Sequence, residues 1–464
     1  MVHSPHGYWL EEAGAVEPRP PLAGDLDADF VVIGGGYTAM WAAWSLLERA
    51  PGARVVVLEA DRCGHGPSGR NGGFLNSYWY AMGTLREHHG EAGALAIARA
   101  GAESVPAIER WCAEQGVDAW ARRAGHLVVS TAPAFDDAWR RSTDACAAAG
   151  APQEYEPLTA DGVRRICDSP IFRAGAIMPM AGTVQPARLA LGLRARLLER
   201  GALVHERSPV RRLRDGGGGV VAEAAGGRVR AGAAVMALGP SAAGVGQLGR
   251  RLTVASSHIV MTEPVPDVLD SVGWTGGESI TDARAYVHYL RTTPDGRIAF
   301  GWGGGRMAFG ARVGGRIEVD PAVAAEIRRH LVRFFPALEG RRVTHAWGGP
   351  IDISPVHLPA FGTLAGGRAH YGFGYTGNGV GPAYLGGRIL ASLALDSRDE
   401  LTRLALVEPA SARVPPEPLR WIGGNLIRSA FLRKEAIEER GGRAGAATEL
   451  VAGIPARLGV HVGR

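Results

Sequence analysis

The chain has 464 residues, 46% of them hydrophobic, and its 51 basic and 46 acidic side chains leave a net charge of +5. No uncharged apolar run reaches the roughly 18 residues that a membrane-spanning helix needs, so no such span is expected. The basic residues are interspersed with acidic ones and only Lys434 is a lysine, a pattern that argues against a nucleic-acid partner.

The length predicts two interleaved domains rather than one small core. The N-terminus lacks a basic start followed by an apolar stretch, so a cytoplasmic enzyme is expected. Cys63, Cys112, Cys146 and Cys167 show no C-x-x-C spacing and read as reduced thiols. His88 and His89 are adjacent rather than four apart, so no metal site is expected.

In chain order, residues 1–26 are rich in proline and glycine and read as an irregular surface arm. Residues 30–33 suit a buried parallel strand and lead directly into Gly34-x-Gly36-x-x-Ala39. Gly34 permits a tight turn, Gly36 lets the backbone approach a pyrophosphate, and Ala39 lets the following helix pack on the strand. Tyr37 and Thr38 open that helix, predicted over 38–50, whose N-terminal amides and partial positive charge face the same spot. A second strand over 53–58 ends at Glu59-Ala60. A carboxylate there, 20 residues after Ala39, can accept hydrogen bonds from the ribose of an adenine dinucleotide, in FAD and NAD alike.

A second glycine-rich loop follows: Gly64-His65-Gly66-Pro67-Ser68-Gly69-Arg70-Asn71-Gly72-Gly73. It resembles the G-x-G-x-S-G-R-N-G-G segment of the FAD-dependent family that includes D-amino-acid oxidase, glycine oxidase and sarcosine oxidase. It is most similar to the bacterial amine-oxidising branch around γ-glutamylputrescine oxidoreductase. The resemblance implies that Ser68 and the loop's backbone, including Gly66, Gly69, Gly72 and Gly73, meet the pyrophosphate and ribityl chain, with Arg70 and Asn71 close to the flavin ring. It also implies an α/β fold in which a Rossmann-like FAD-binding domain is interleaved with an antiparallel-sheet substrate domain. The expected FAD-binding segments are 27–82, 174–250 and 345–400. Residues 83–173 and 251–344 are expected to form the substrate-binding and helical cover domain, and 401–464 a C-terminal extension.

Within that frame, 83–117 and 131–149 have helical period, with a strand predicted at 125–130 between them. The family pattern next places a strand after residue 174, a proline-containing turn and a helix. A parallel strand at 204–206 follows, then Val210 with its backbone at the adenine, and Ala237-Leu238-Gly239 as a small-residue segment at the cofactor. Asp215 to Gly219 reads as a tight turn between antiparallel strands. Residues 251–317 read as antiparallel strands with a hairpin at Thr293-Pro294-Asp295-Gly296. Period-two alternation puts Tyr286, His288 and Leu290 on one face and Ala285, Val287, Tyr289 and Arg291 on the other, and either face suits a pocket. Asp320 and Pro321 open a helix running through Ile327, Leu331 and Phe334.

The resemblance then implies that Gly374, Gly377, Asn378, Gly379 and Val380 form a turn beside the isoalloxazine. The helix after Pro382 would aim its N-terminus at the N1–C2 edge, where reduction places negative charge. Gly386, Gly387 and Ala391 would let this helix pack on the sheet. An amphipathic segment over 419–439 is expected to lie across the substrate domain or a neighbouring subunit of an oligomer.

The activity implied is oxidation of the C–N bond of a small neutral amine, with hydride passing to flavin N5 and the resulting imine hydrolysing to a carbonyl compound. Oxygen or an electron carrier would take the electrons. An amino acid or aminophosphonate is the alternative substrate class, and a non-catalytic partner retaining the FAD fold is the alternative outside enzymes. Candidate pocket residues are Arg70, Tyr286, Tyr289, Trp302, Trp347 and Tyr375, with His258 as a polar option. Arg70 and Arg291 offer guanidinium forks to a substrate carboxylate. No cysteine follows Cys167 and His65 lies outside a W-H-x-x-G context, so FAD is expected to be non-covalent.

Overall fold

The computed structural model describes residues 1–409 and 413–462. One sheet of eight strands runs in the order Leu203–His205, Val55–Leu58, Leu26–Ile33, Gly227–Met236, Val220–Ala224, Val210–Asp215, with Ala369–Phe373 also paired to Gly227–Met236 and Ala360–Thr363 beyond it. The strand around Val31 and Val32 and the strand Val55–Leu58 are buried on both faces, as parallel strands covered by helices must be. Ile33 pairs in register with Leu58 and with Met236. The three strands therefore end together, and Gly34, Glu59 and Ala237 meet at the carboxyl edge of the sheet.

The helix Tyr37–Arg49 covers one face and is buried from Tyr37 through Leu46. The helix Val380–Ala394, which starts two residues before Pro382, lies against it. A Cβ on Gly387 would stand 2.5 Å from the Cβ of Trp41, so this glycine serves helix-to-helix packing rather than packing on the sheet. Gly386 instead faces Phe361, on a strand of the sheet, and Tyr375.

The second sheet has nine strands and is mixed rather than wholly antiparallel. Its centre, Val343–Ile353, Thr253–Thr262, Ile298–Trp302 and His288–Thr292, is antiparallel, with the expected turn at residues 293–296. Ser279–Asp282 joins His126–Val129 in parallel, and Val2–His3 joins Val343–Ile353 in parallel. Parallel joins arise here because segments far apart in sequence meet, where no hairpin dictates direction. The expected segment boundaries at 174 and 345 both fall inside this sheet. Gly175–Met178 pairs with His126–Val129, and Val343–Ile353 pairs along Thr253–Thr262, so the chain regains the first sheet only at Ala360–Thr363.

The N-terminal arm is more ordered than its composition implies. Gly7–Ala13 is a helix whose Tyr8, Trp9 and Leu10 are buried. Trp9 lies edge-on to Trp347 at 6.3 Å, beneath the Arg291 guanidinium, and its carbonyl accepts from Gln185 Nε2 at 2.8 Å. Three adjacent apolar side chains outweigh the surrounding glycine and proline. Among the described residues no helix is long and apolar enough to cross a membrane.

Beyond the second sheet, the C-terminal helix Leu419–Glu438 docks onto the loop before His288–Thr292. Glu435 accepts the Ala285 N–H at 2.6 Å, Glu439 pairs with Arg284 and Arg333, and Phe431 lies edge-on to Tyr286 at 6.4 Å. Two short stretches of the extension, 410–412 and 463–464, lie outside the described residues.

Two outcomes test these packings. Trp9→Ala should cost about 3–5 kcal/mol through the cavity it leaves, seen as a fall in the urea midpoint with an unchanged slope. Burial pushes the Glu435 carboxyl up to about 7, with Arg284 opposing and Asp282 adding to the rise. A folded-state pKa above the unfolded one favours the folded chain at pH below the ordinary glutamate value, and that stabilisation is lost as pH rises through about 7. Unfolding free energies between about pH 5 and pH 8 should therefore decline less for Glu435→Gln than for the wild type.

Candidate cofactor and substrate site

A single cleft of about 1340 Å³ runs from the carboxyl edge of the first sheet to the inner face of the second. That exceeds the ~300–1,000 Å³ usual for a drug-sized ligand, so an elongated cofactor and a small substrate fit together.

At one end, Gly34 has φ +114°, and a side chain on it would collide with the Ala237 carbonyl oxygen. Gly36 caps the Tyr37–Arg49 helix without a side-chain hydrogen bond, and a Cβ there would stand 3.0 Å from Ser68 Oγ. The Tyr37 N–H donates to Ser68 Oγ at 2.9 Å, which ties the two glycine loops together. The cradle that remains is lined by Gly34, Gly36, Tyr37, Thr38, Gly66 and Ser68, and its helix N-terminus favours an anion. Ala39 lies behind it as a packing residue. Glu59 and Ala60 line the adjoining wall with Val210, Ala237 and Gly239. Burial raises the Glu59 pKa, while hydrogen bonds from the backbone N–H groups of Asp61, at 2.8 Å, and Gly35 oppose the rise.

The loop at 66–73 divides its labour. Arg70, Asn71 and Gly72 line the cleft, but Gly69 and Gly73 do not. Side chains on the latter two would meet the carbonyls of Gly64 and Val184, so their role is to let chains pass. Asn71 knots the loop, accepting the Gly73 N–H at 2.6 Å and donating to the carbonyls of Ser68 and Pro67. Arg70 donates to the Pro5 carbonyl at 2.8 Å and pairs with Glu318 at 2.9 Å.

On the opposite wall, Tyr375, Gly377, Gly379 and Val380 line the cleft. The N-cap of the Val380–Ala394 helix, Gly379, has no side-chain hydrogen bond. Tyr375 accepts a hydrogen bond from Thr38 Oγ1 at 2.8 Å. Gly374 and Asn378 stand behind. The Gly374 N–H donates to Asp352 Oδ2 at 2.6 Å, and Asn378 Nδ2 donates to Tyr80 Oη at 3.0 Å. Asp352, which the sequence reading missed, lines the cleft, and burial pushes its carboxyl up to about 6.

Tyr286 and Tyr289 both line the substrate side, although alternation put them on opposite faces. The strand begins only at His288, and the bend before it at 283–286 releases Tyr286 from the period of two. Tyr289 shares a 2.7 Å hydrogen bond with Ser257 Oγ, and its ring lies 3.2 Å from where a Gly72 Cβ would stand. Burial raises both phenol pKa values.

Three expected pocket residues lie elsewhere. Trp302 packs behind the sheet against His288 and His330, because it sits on the core face of its strand. Trp347 is buried against the N-terminal helix and donates from Nε1 to the Arg70 carbonyl at 2.8 Å, so it supports the loop rather than touching the cleft. His258 is buried off the cleft, and burial lowers its pKa to about 4, keeping it neutral. Arg291 is likewise withdrawn, donating to the Val184 carbonyl over the Trp9 ring. The extension supplies lining that no local signal announced, including Leu419, Gly424, Ile427, Arg428 and Leu458.

These features match known proteins. The family model for FAD dependent oxidoreductases, DAO, fits residues 29–393. A probable oxidoreductase OrdL of Rhizobium meliloti (strain 1021) is 29% identical over 92% of this chain and 95% of its own. Gamma-glutamylputrescine oxidoreductase of Escherichia coli (strain K12) is 27% identical over 93% and 96%. In fold, glycine oxidase from Geobacillus kaustophilus superposes with TM-score 0.68 at 20% identity, covering 83% of this chain and 100% of that one. L-Proline dehydrogenase from P. horikoshii gives 0.67 at 18%, covering 83% and 96%. With the glycine turns, the strand-ending Glu59 and the two-sheet cleft in place, the chain belongs to the DAO family of FAD-dependent oxidoreductases.

Proposed function

We propose that this enzyme oxidises the C–N bond of a small amine or amino acid. The observation that carries the reading is one continuous cleft with two chemically different ends, backbone amides and a carboxylate at one and phenols at the other. The relatives named for work on γ-glutamylputrescine, glycine and proline support the same class of substrate.

FAD would be held by the Gly34–Thr38 turn and Ser68 at its pyrophosphate, by Glu59 at a ribose, and by the 70–72 loop and the Gly377–Val380 turn at its ring. The chemistry that FAD supplies when bound is acceptance of a hydride from the carbon next to nitrogen, leaving an imine that water hydrolyses to a carbonyl compound. The protein's own residues prepare that event. Oriented amides at Gly379 and Val380 stabilise negative charge beside them without moving. Tyr286 and Tyr289 shape the wall around the substrate and keep water out while adding no permanent charge. Glu318 neutralises Arg70, so an uncharged amine meets no competing free cation at that loop.

We further propose that FAD is dissociable. Cys63 is buried with its thiol pKa raised well above normal, and neither it nor His65 lines the cleft. Acid precipitation should leave a colourless pellet and a yellow supernatant, and a yellow pellet overturns this. Anaerobic addition of an amine and amino-acid panel should bleach the bound flavin's visible absorbance with at least one member. Re-entry of air with peroxide release marks an oxidase, and slow reoxidation a dehydrogenase. Purified protein without a flavin spectrum defeats the reading.

A further inference from the structure

We propose that Arg428, on the C-terminal helix, is a specificity-determining residue that binds a carboxylate carried by the amine substrate. The inference deepens the C–N oxidation reading and rests on it for the identity of the reacting group. It does not rest on family likeness, because the family match ends at residue 393.

The arginines expected to take a carboxylate are already used. Arg70 is paired with Glu318, and Arg291 is buried away from the cleft, so neither arginine expected to take a carboxylate is free for one. Arg420 lines the cleft but pairs with Glu417 at 3.0 Å and donates to the carbonyls of Gly249 and Leu252. Arg306, a near neighbour, pairs with Asp320 at 2.8 Å.

Arg428 differs. It lines the cleft with Tyr286, Met307 and Ile427, and among the described residues it has no ion-pair partner. One Nη donates to the Gly304 carbonyl, while Nε is buried with no hydrogen-bond partner. The acids around it are occupied elsewhere. Asp320 is held by Arg306 and Arg316 and caps its own helix, and Glu435 accepts the Ala285 N–H. The buried Nε donor is left without a partner among the described residues, a cost that an anion reaching the guanidinium from the cleft relieves. Its planar fork matches a carboxylate, which takes two parallel hydrogen bonds. Tyr286 lies close enough for its phenol to couple electrostatically with the guanidinium, and its hydroxyl makes no hydrogen bond among the described residues. Together they present the guanidinium's donors and a phenol that can donate one more to whatever enters from the cleft.

The extension thus supplies selectivity as well as cover. A neutral amine gains only the aromatic wall, and an amine that also bears a carboxylate gains the fork.

The test uses FAD-loaded wild type, Arg428→Gln and Arg428→Lys. The probes are ω-(methylamino)alkanoates of increasing chain length, each against the N-methylalkylamine of the same length. Binding is read by calorimetry and flavin bleaching by anaerobic absorbance. Wild type should prefer at least one amino acid over its amine, and Arg428→Gln should weaken that member about 10- to 100-fold while leaving the amine within about threefold. Its KM should rise with kcat little changed, and Arg428→Lys should recover part of the loss. An unchanged melting curve separates this from misfolding. Equal binding of both probe types by wild type, no binding of any carboxylate, or an equal loss for both types in Arg428→Gln overturns the proposal. Arg428-dependent carboxylate binding without bleaching by any amine removes the oxidation reading and leaves the anion site. Bleaching that is indifferent to Arg428 does the reverse.

Discussion

Everything in this molecule depends on how closely two backbones approach at the carboxyl edge of the first sheet. Gly34 leaves its strand at φ +114°, directly against the Ala237 carbonyl, and no side chain fits between them. Register does the rest. Because Ile33, Leu58 and Met236 lie side by side, the Gly34 turn, Glu59 and the segment at 237–239 emerge at one level. The Tyr37–Arg49 helix starts there with no side-chain cap at Gly36, its first amide tied to Ser68 Oγ, and its N-terminal field favours an anion.

The second sheet is attached to this edge through the loop at 66–73. Arg70 is gripped at three points. Its carbonyl accepts from Trp347, its guanidinium donates to the Pro5 carbonyl, and the same group pairs with Glu318. Those partners come from a strand of the second sheet, from the N-terminal arm and from the segment before the Pro321–Phe334 helix. One loop thus sets the distance between the cofactor cradle and the aromatic wall, and Tyr289 packs against Gly72 from the other side. Trp9 and Trp347 matter to the cleft without touching it, because they hold the backbone that does.

The C-terminal helix closes the arrangement by electrostatics more than by apolar burial. Leu419, Ile422 and Leu426 remain exposed, while Glu435 is buried. Glu439 is matched to Arg284 and Arg333, and Arg428 is left with donors toward the cleft.

How much of this was legible beforehand divides along one physical line. Residues 34–39 and 59 read as a dinucleotide turn because glycines, a helix start and a strand-ending acid act within a short stretch, whereas 66–73 was legible through its resemblance to the family's loop. The Asp320 cap was equally local, and the structure shows its carboxylate accepting from Ala322 and Val323. Tyr286 and Tyr289 resisted alternation because a bend, invisible in side-chain pattern, precedes the strand. Trp302, Trp347 and Arg291 looked like pocket residues because residue type says nothing about which face of a sheet meets the cleft. Asp352 and Arg428 carried no signal at all, since Asp352 matters through its burial and the Gly374 amide that turns back onto it, and Arg428 through the lack of an ion-pair partner among the described residues. The sequence alone determined the dinucleotide-type turn after the first strand and, through its resemblance to the family, FAD as the cofactor. Only tertiary structure decided which side chains line the cleft, because that depends on register, strand face and docking between segments that no local pattern connects.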